Sequence, residues 1–241
     1  INSGPMWPRA PEQPRNYRRG CWATDNLDSR FTLAQQTITL SATRGEAVPP
    51  KMSKDKKDEK ESMGKLEELF LKSRTIMLYG EINQKVAREF CTKIQILAAE
   101  SDDDINVFVN SPGGHVESGD SIHDMIKFVK PRVKVIGTGW VASAGALIYS
   151  APPVEDRFSL PNTRYMLHQP SGGVGGQASD ISIEADQIVK MRERLNQIFA
   201  DQTGQPIDRI AKDTNRNFWM TPTEAKDYGL VGSIINSHDE L

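Results

Sequence analysis

The chain has 241 residues, a formal charge of −2 and 37% hydrophobic residues, room for one domain with or without an appendage. The near-neutral balance argues against nucleic acid or an anionic membrane surface as a partner. No apolar run reaches the roughly 20 residues of a membrane-spanning helix, and no secretory h-region is present, so a soluble protein is expected. The two cysteines, Cys21 and Cys91, lie too far apart for a metal or redox motif; reduced thiols in a cytoplasmic compartment are expected.

Residues 1–62 read as a disordered extension. Pro5, Pro8, Pro11 and Pro14 punctuate an arginine-bearing start, and apolar periodicity is almost absent. Only Phe31 to Leu40 reads as a strand. A leader, a propeptide or sequence upstream of a start at Met52 all fit this composition, and a leader would place the protein in an organelle matrix. A lysine-rich run from Lys51 to Lys65 follows.

From residue 63 the pattern becomes α/β alternation. Lys65 to Lys72 reads as a helix and Arg74 to Glu81 as a strand. Asn83 opens a helix with Val86, Phe90, Ile94 and Leu97 on one face. Ile105 to Val109 is the next strand and runs into Ser111-Pro112-Gly113-Gly114. A helix with Val116, Ile122, Met125, Ile126 and Val129 inward is stopped by Pro131. Val133, Val135 and Ile136 form a strand that Gly137 and Gly139 are expected to end. Ser143 then opens a small-residue helix, and Arg164 to Leu167 is another strand. Such alternation predicts βαβ units and a parallel sheet buried on both faces.

After His168, Gly172, Gly173, Gly175 and Gly176 form a flexible link. Ala178 to Gln202 then reads as one long helix with Ile181, Ile188, Met191, Leu195 and Ile198 as its stripe, an oligomerisation arm. Thr221 with Glu224 predicts a capping box, and Val231 to Ile235 an edge strand.

Ser143 sits where a helix N-terminus offers unpaired N–H groups to a developing oxyanion. An ordinary N-cap serine explains the same position, and Val141 replaces the first glycine of G-x-S-x-G. The Gly113-Gly114 pair is either a simple tight turn or an oxyanion donor, the N–H of Gly114 working beside that of Ala144. His168 ends an apolar strand, where the working residues of α/β sheets gather; His115, His123 and His238 have no partners at useful spacing. Asp201, Asp208, Asp213 and Asp227 lie downstream without an assigned place. The residues alone reach a candidate serine–histidine hydrolase, third member open.

Several motifs together are more specific: S-P-G-G at 111–114, A-S-A-G-A at 142–146, L-P-N-T-R-Y-M-L-H-Q-P at 160–170, G-Q-A-S-D-I at 176–181 and E-A-K-D-Y-G-L-V at 224–231. With these the chain resembles the ClpP family, the proteolytic subunits of the Clp protease, over about 64–235. The resemblance implies the α/β ClpP/crotonase fold with a protruding handle helix from Ala178, in a handle region of about 169–203, on a peptidase domain of residues 63–241. It further implies heptameric rings stacked as a tetradecamer, unfolded polypeptide substrates, and an AAA+ unfoldase of ClpX or ClpA type docking on pockets that involve Phe108 and Phe128. The unfoldase uses the ATP; this chain itself needs no cofactor and no metal. Ser143 would be the nucleophile, His168 the base, and the N–H groups of Gly114 and Ala144 the oxyanion hole. Gly172, Gly173, Val174 and Gly175 would bind substrate. The family's catalytic aspartate falls at Asn217. The resemblance therefore admits two readings, a serine endopeptidase subunit and a low-activity paralogue that works in mixed rings with a complete ClpP. A crotonase-type acyl-CoA enzyme ranks last, since it leaves Ser143 and His168 unexplained.

Overall fold

The protein was analysed as a computed structural model, which describes residues 64–241 except Val174. The expectations for residues 1–62, including the strand at Phe31 to Leu40, lie outside the described residues. Residues 64–72 are helical (α1). There follow β1 (Thr75–Tyr79), α2 (Gln84–Glu100), β2 (Ile105–Ser111), α3 (Val116–Phe128), β3 (Val133–Ala142), α4 (Ala144–Tyr149), β4 (Arg157–Ser159) and β5 (Arg164–Leu167). The chain continues through α5 (Ala178–Thr203), α6 (Ile207–Asp213), β6 (Phe218–Met220), α7 (Pro222–Asp227) and β7 (Ser233–Ile234).

The main sheet runs β1-β2-β3-β4-β7 with every pair parallel. Strict alternation sets its two faces. In β2, Ile105, Val107, Val109 and Ser111 are buried against the helices, whereas Asn106, Phe108 and Asn110 are half-buried on the other side. That second face is open toward β1, where Met77 and Tyr79 are 39% and 50% exposed. The sheet is thus fully buried on one face only. Short polar residues and two aromatic edges there replace the continuous apolar run that two covered faces would demand.

β3 is the central departure from expectation. It does not stop at Gly137 and Gly139 but runs ten residues to Ala142. Its first half pairs with β2 and β4, and its second half with β5. The glycines accommodate neighbours instead of ending the strand. A Cβ on Gly137 would lie 2.4 Å from the Tyr165 hydroxyl, and Gly139 (φ +62°) packs against the Asn110 side chain where the register with β2 shifts. β4 and β6, three residues each, carried too short a pattern to read; β6 pairs antiparallel with β5.

Helix α5 runs one residue past the expected Gln202, to Thr203, and is capped by Gly204 in the left-handed conformation. Burial is confined to Leu195, Asn196, Phe199 and Ala200, while residues 178–187 are exposed throughout. The expected stripe therefore holds only in its last turns, and the first half of this helix (about 39 Å long at 1.5 Å per residue) stands clear of the core. The capping box on α7 is present: Thr221 Oγ1 accepts from Glu224 N, and Glu224 Oε2 accepts from Thr221 N.

Candidate active site

Strand register brings three side chains together. Val141 and Ala142 of β3 pair with Tyr165 and Met166 of β5, so the residues that follow, Ser143 and His168, emerge side by side. Leu167 pairs antiparallel with Phe218, which sets Asn217 opposite His168. The contacts agree: His168 Nε2 lies 2.7 Å from Ser143 Oγ, and His168 Nδ1 lies 3.1 Å from Asn217 Oδ1. Ser143 and His168 are half-buried and Asn217 is exposed. With the asparagine oxygen accepting from Nδ1–H, the lone pair of Nε2 faces the serine hydroxyl. That is the geometry of a nucleophile with its base and an orienting group.

Ser143 is not an ordinary N-cap. Its side chain caps nothing, and its backbone is held at φ +55°, ψ −123°, a conformation that a non-glycine residue keeps only when its surroundings over-determine it. Those surroundings are visible. Ser143 N donates to Met166 O at 2.9 Å, and Ser143 O accepts from Ala146 and Leu147 N. The turn therefore projects Oγ away from α4 toward the imidazole, as a strained strand-to-helix elbow does.

The 111–114 turn packs directly on this elbow. A Cβ on Gly113 (φ +97°) would sit 2.5 Å from Ser143 Cβ and 3.0 Å from Ala144 N, so only glycine fits. Gly113 O accepts from Ile82 N, and His115 N donates to Ile82 O. These bonds fix the backbone on either side of Gly114 and leave its N–H without an acceptor among the described residues. Ala144 N–H, at the first helical position of α4, is likewise unpaired there. Two free amide donors thus flank the serine's neighbourhood.

Next to Gly114 opens a groove of about 220 Å³, lined by Val116, Pro170, Ser171, Gly172, Ile188 and Met191 together with His115 and Glu117. Gly172 lines it; Gly173 and Gly175 are exposed and do not, and Val174 lies outside the described residues. Of the downstream aspartates, Asp201 accepts from Gln197, and Asp213 accepts from the Tyr228 hydroxyl at 3.0 Å and pairs with Arg209. Neither reaches His168.

Sequence reasoning missed a polar network behind the imidazole. Gln169 N donates to Thr214 O at 2.6 Å, and Gln169 Nε2 donates to Asn215 O at 2.8 Å. The buried Thr214 hydroxyl donates to Asn196 Oδ1 on α5. This network pins the loop that carries Asn217 to the strand end that carries His168. Its one legible sign was an amide residue directly after the histidine. Among the described residues, no three His, Cys, Asp or Glu gather in a metal-holding group, and no helix is long and apolar enough to cross a membrane.

Comparison with known proteins places this geometry in context. The family model described as Clp protease matches residues 57–238. ATP-dependent Clp protease proteolytic subunit 3 of Rhizobium etli is 60% identical over 188 residues, 78% of this chain and 97% of that one. Proteolytic subunit 2 of Gluconobacter oxydans is 54% identical over 195 residues, 80% and 87% of the two chains. Among solved structures, ClpP1 from Listeria monocytogenes is 54% identical with a TM-score of 0.67, covering 73% of this chain and 99% of that one. An asparagine-to-aspartate mutant of the same protein gives 0.68, covering 72% and 98%.

Proposed function

The chain belongs to the Clp protease family as a proteolytic subunit, a serine-type peptidase, and from that membership we propose that Ser143, His168 and Asn217 are its catalytic residues. The observation that carries the proposal is the unbroken relay Asn217 Oδ1, His168 Nδ1, His168 Nε2, Ser143 Oγ. Ser143 Oγ attacks the scissile carbonyl as its proton passes to His168 Nε2. The N–H groups of Gly114 and Ala144 hold the resulting oxyanion. Collapse expels the amine, which takes its proton from the imidazolium and leaves an acyl-enzyme on Ser143. Water, activated by the same imidazole, then releases the acid. No cofactor or metal enters these steps.

Gly172, Gly173, Val174 and Gly175 form the substrate-binding segment, and of these Gly172 lines the groove beside Gly114. Residues 63–241 form the peptidase domain, and the handle of residues 169–203, with its exposed first half of α5, interleaves two heptameric rings into a tetradecamer in the cytoplasm. A Clp-type AAA+ ATPase feeds unfolded polypeptide to it, docking on apolar surface that includes Phe108.

Asn217 supports a second reading, a subunit of low intrinsic activity that works in mixed rings with a complete ClpP. The amide orients the imidazole but carries no charge to stabilise the imidazolium. Hydrolysis of a fluorogenic peptide by the purified chain, alone and after mixing with a complete ClpP carrying a serine-to-alanine change, separates the two. Turnover that the chain shows alone and loses with Ser143→Ala supports the first; turnover only after mixing supports the second. No Ser143-dependent turnover in either setting contradicts both.

A further inference from the structure

The sheet face opposite the helices carries an apolar row set by register: Met77, Phe108, Ile136 and Phe158 on four adjacent parallel strands. At the β1 end this row is open, with Met77 39% exposed. At the other end it is covered. Leu241 packs into the cluster of Phe108, Ile136, Phe158, Leu160 and Ile235, and its main-chain oxygen accepts from Lys134 Nζ at 2.8 Å. A short turn delivers it there. Glu240 Oε1 accepts from the N–H groups of Asn236 and Ser237, each at 2.9 Å, and folds residues 236–241 back on themselves.

Three features mark this cover as detachable. Among the described residues it is held by one leucine, one lysine bond and its own internal cap, without a strand pairing beyond Ile234. Lys134 also has Asp104 at 2.9 Å to satisfy it when the cover lifts. Asn106, in register with Lys134 on the same face, has a buried Oδ1 with no donor among the described residues; a surface closed for good leaves such an acceptor at a cost.

We propose that residues 236–241 are a displaceable cover on the apolar face around Phe108, and that a docking ATPase must displace it. The incoming segment presents an aliphatic or aromatic side chain to Phe108, Phe158 and Leu160, and offers a carbonyl to Lys134 and an N–H to Asn106. This deepens the docking surface of the proposed function and rests on it.

The test immobilises the assembled full chain and measures direct binding of a purified ClpX-type ATPase, with ATP, to the unaltered protein, to a deletion of 237–241 and to Leu241→Asp. Partial burial of one leucine side chain sets the expected gain: about tenfold lower Kd for both variants. Thermal melts accompany each variant, and Leu241→Asp leaves the Glu240 cap in place should the deletion fold poorly. An unchanged or weaker Kd in Leu241→Asp, or no ATPase binding by any form, overturns the proposal. Labelling of Ser143 by a serine-directed phosphonate is read in parallel. Its absence contradicts the peptidase reading alone, because the binding measurement does not depend on catalysis.

Discussion

In the proposed triad, Asn217 is the residue that sets the state of the imidazole. Its oxygen accepts from His168 Nδ1 at 3.1 Å, which holds the ring and its tautomer. A neutral amide adds no charge against the imidazolium, and in trypsin-like enzymes the aspartate-to-asparagine change costs about 10⁴ in turnover. Asn217→Asp is therefore expected to raise kcat for a short peptide by at least about tenfold in correctly assembled rings, read by fluorogenic hydrolysis. Gly113 gives the opposite prediction. A Cβ there meets Ser143 Cβ at 2.5 Å at a backbone φ of +97°, so Gly113→Ala is expected to displace the elbow and lower kcat by about 10²-fold or more. A serine probe should then label Gly113→Ala far more slowly than the unaltered chain, and Ser143→Ala not at all. At this scale the sequence was informative because the motifs around Ser143 and His168 are dense. The network behind them was not legible: Thr214, Gln169 and Asn196 are common polar residues whose meeting depends on how α5 and α6 cross.

Among the elements, β3 and α5 carry the architecture. The strand changes partners at Gly139 so that one continuous backbone joins the main sheet to the β5–β6 pair, which positions the histidine and the asparagine. Helical periodicity and capping residues made α2, α3, α5 and α7 readable, since those signals are local. β4 and β6 were not, because three-residue strands owe their pairing to distant neighbours and not to their own pattern. Arg157 on β4 shows the same dependence. It is 1% exposed and lacks a carboxylate partner among the described residues. It donates to Pro152 O, Gln202 O and Gln202 Oε1 at the end of α5, and burial lowers its pKa to about 10. Arg157→Met keeps volume but strands these acceptors, so a loss of about 2–4 kcal/mol in unfolding free energy is expected, read by denaturant titration. A loss below about 0.5 kcal/mol, the scatter of surface substitutions, would contradict that role.

For the whole molecule, acid stability follows from His123. This histidine is 5% exposed within α3, and its Nε2 is buried without a partner among the described residues. Burial lowers its pKa below the ordinary 6.5, against the opposing pull of Asp124 and Asp120, while Lys127 adds to the lowering. The sign follows from proton counting. Below pH 6.5 the unfolded chain binds a proton that the folded one resists, so stability is full above that pH and falls as pH drops below it. Thermal melts from pH 7.5 down to 5 should show this decline, and His123→Leu should flatten it; an equally steep decline in the variant would rule His123 out as its source.

Acylation of Ser143 is the bond-forming event on which the proposed peptidase chemistry rests. Mass spectrometry after treatment with a β-lactone provides the direct reading. The predicted result is a single adduct mapping to Ser143, lost in Ser143→Ala and strongly slowed in His168→Ala. An adduct on another residue, or labelling of Ser143 as fast in His168→Ala as in the unaltered chain, would contradict the assigned nucleophile and base.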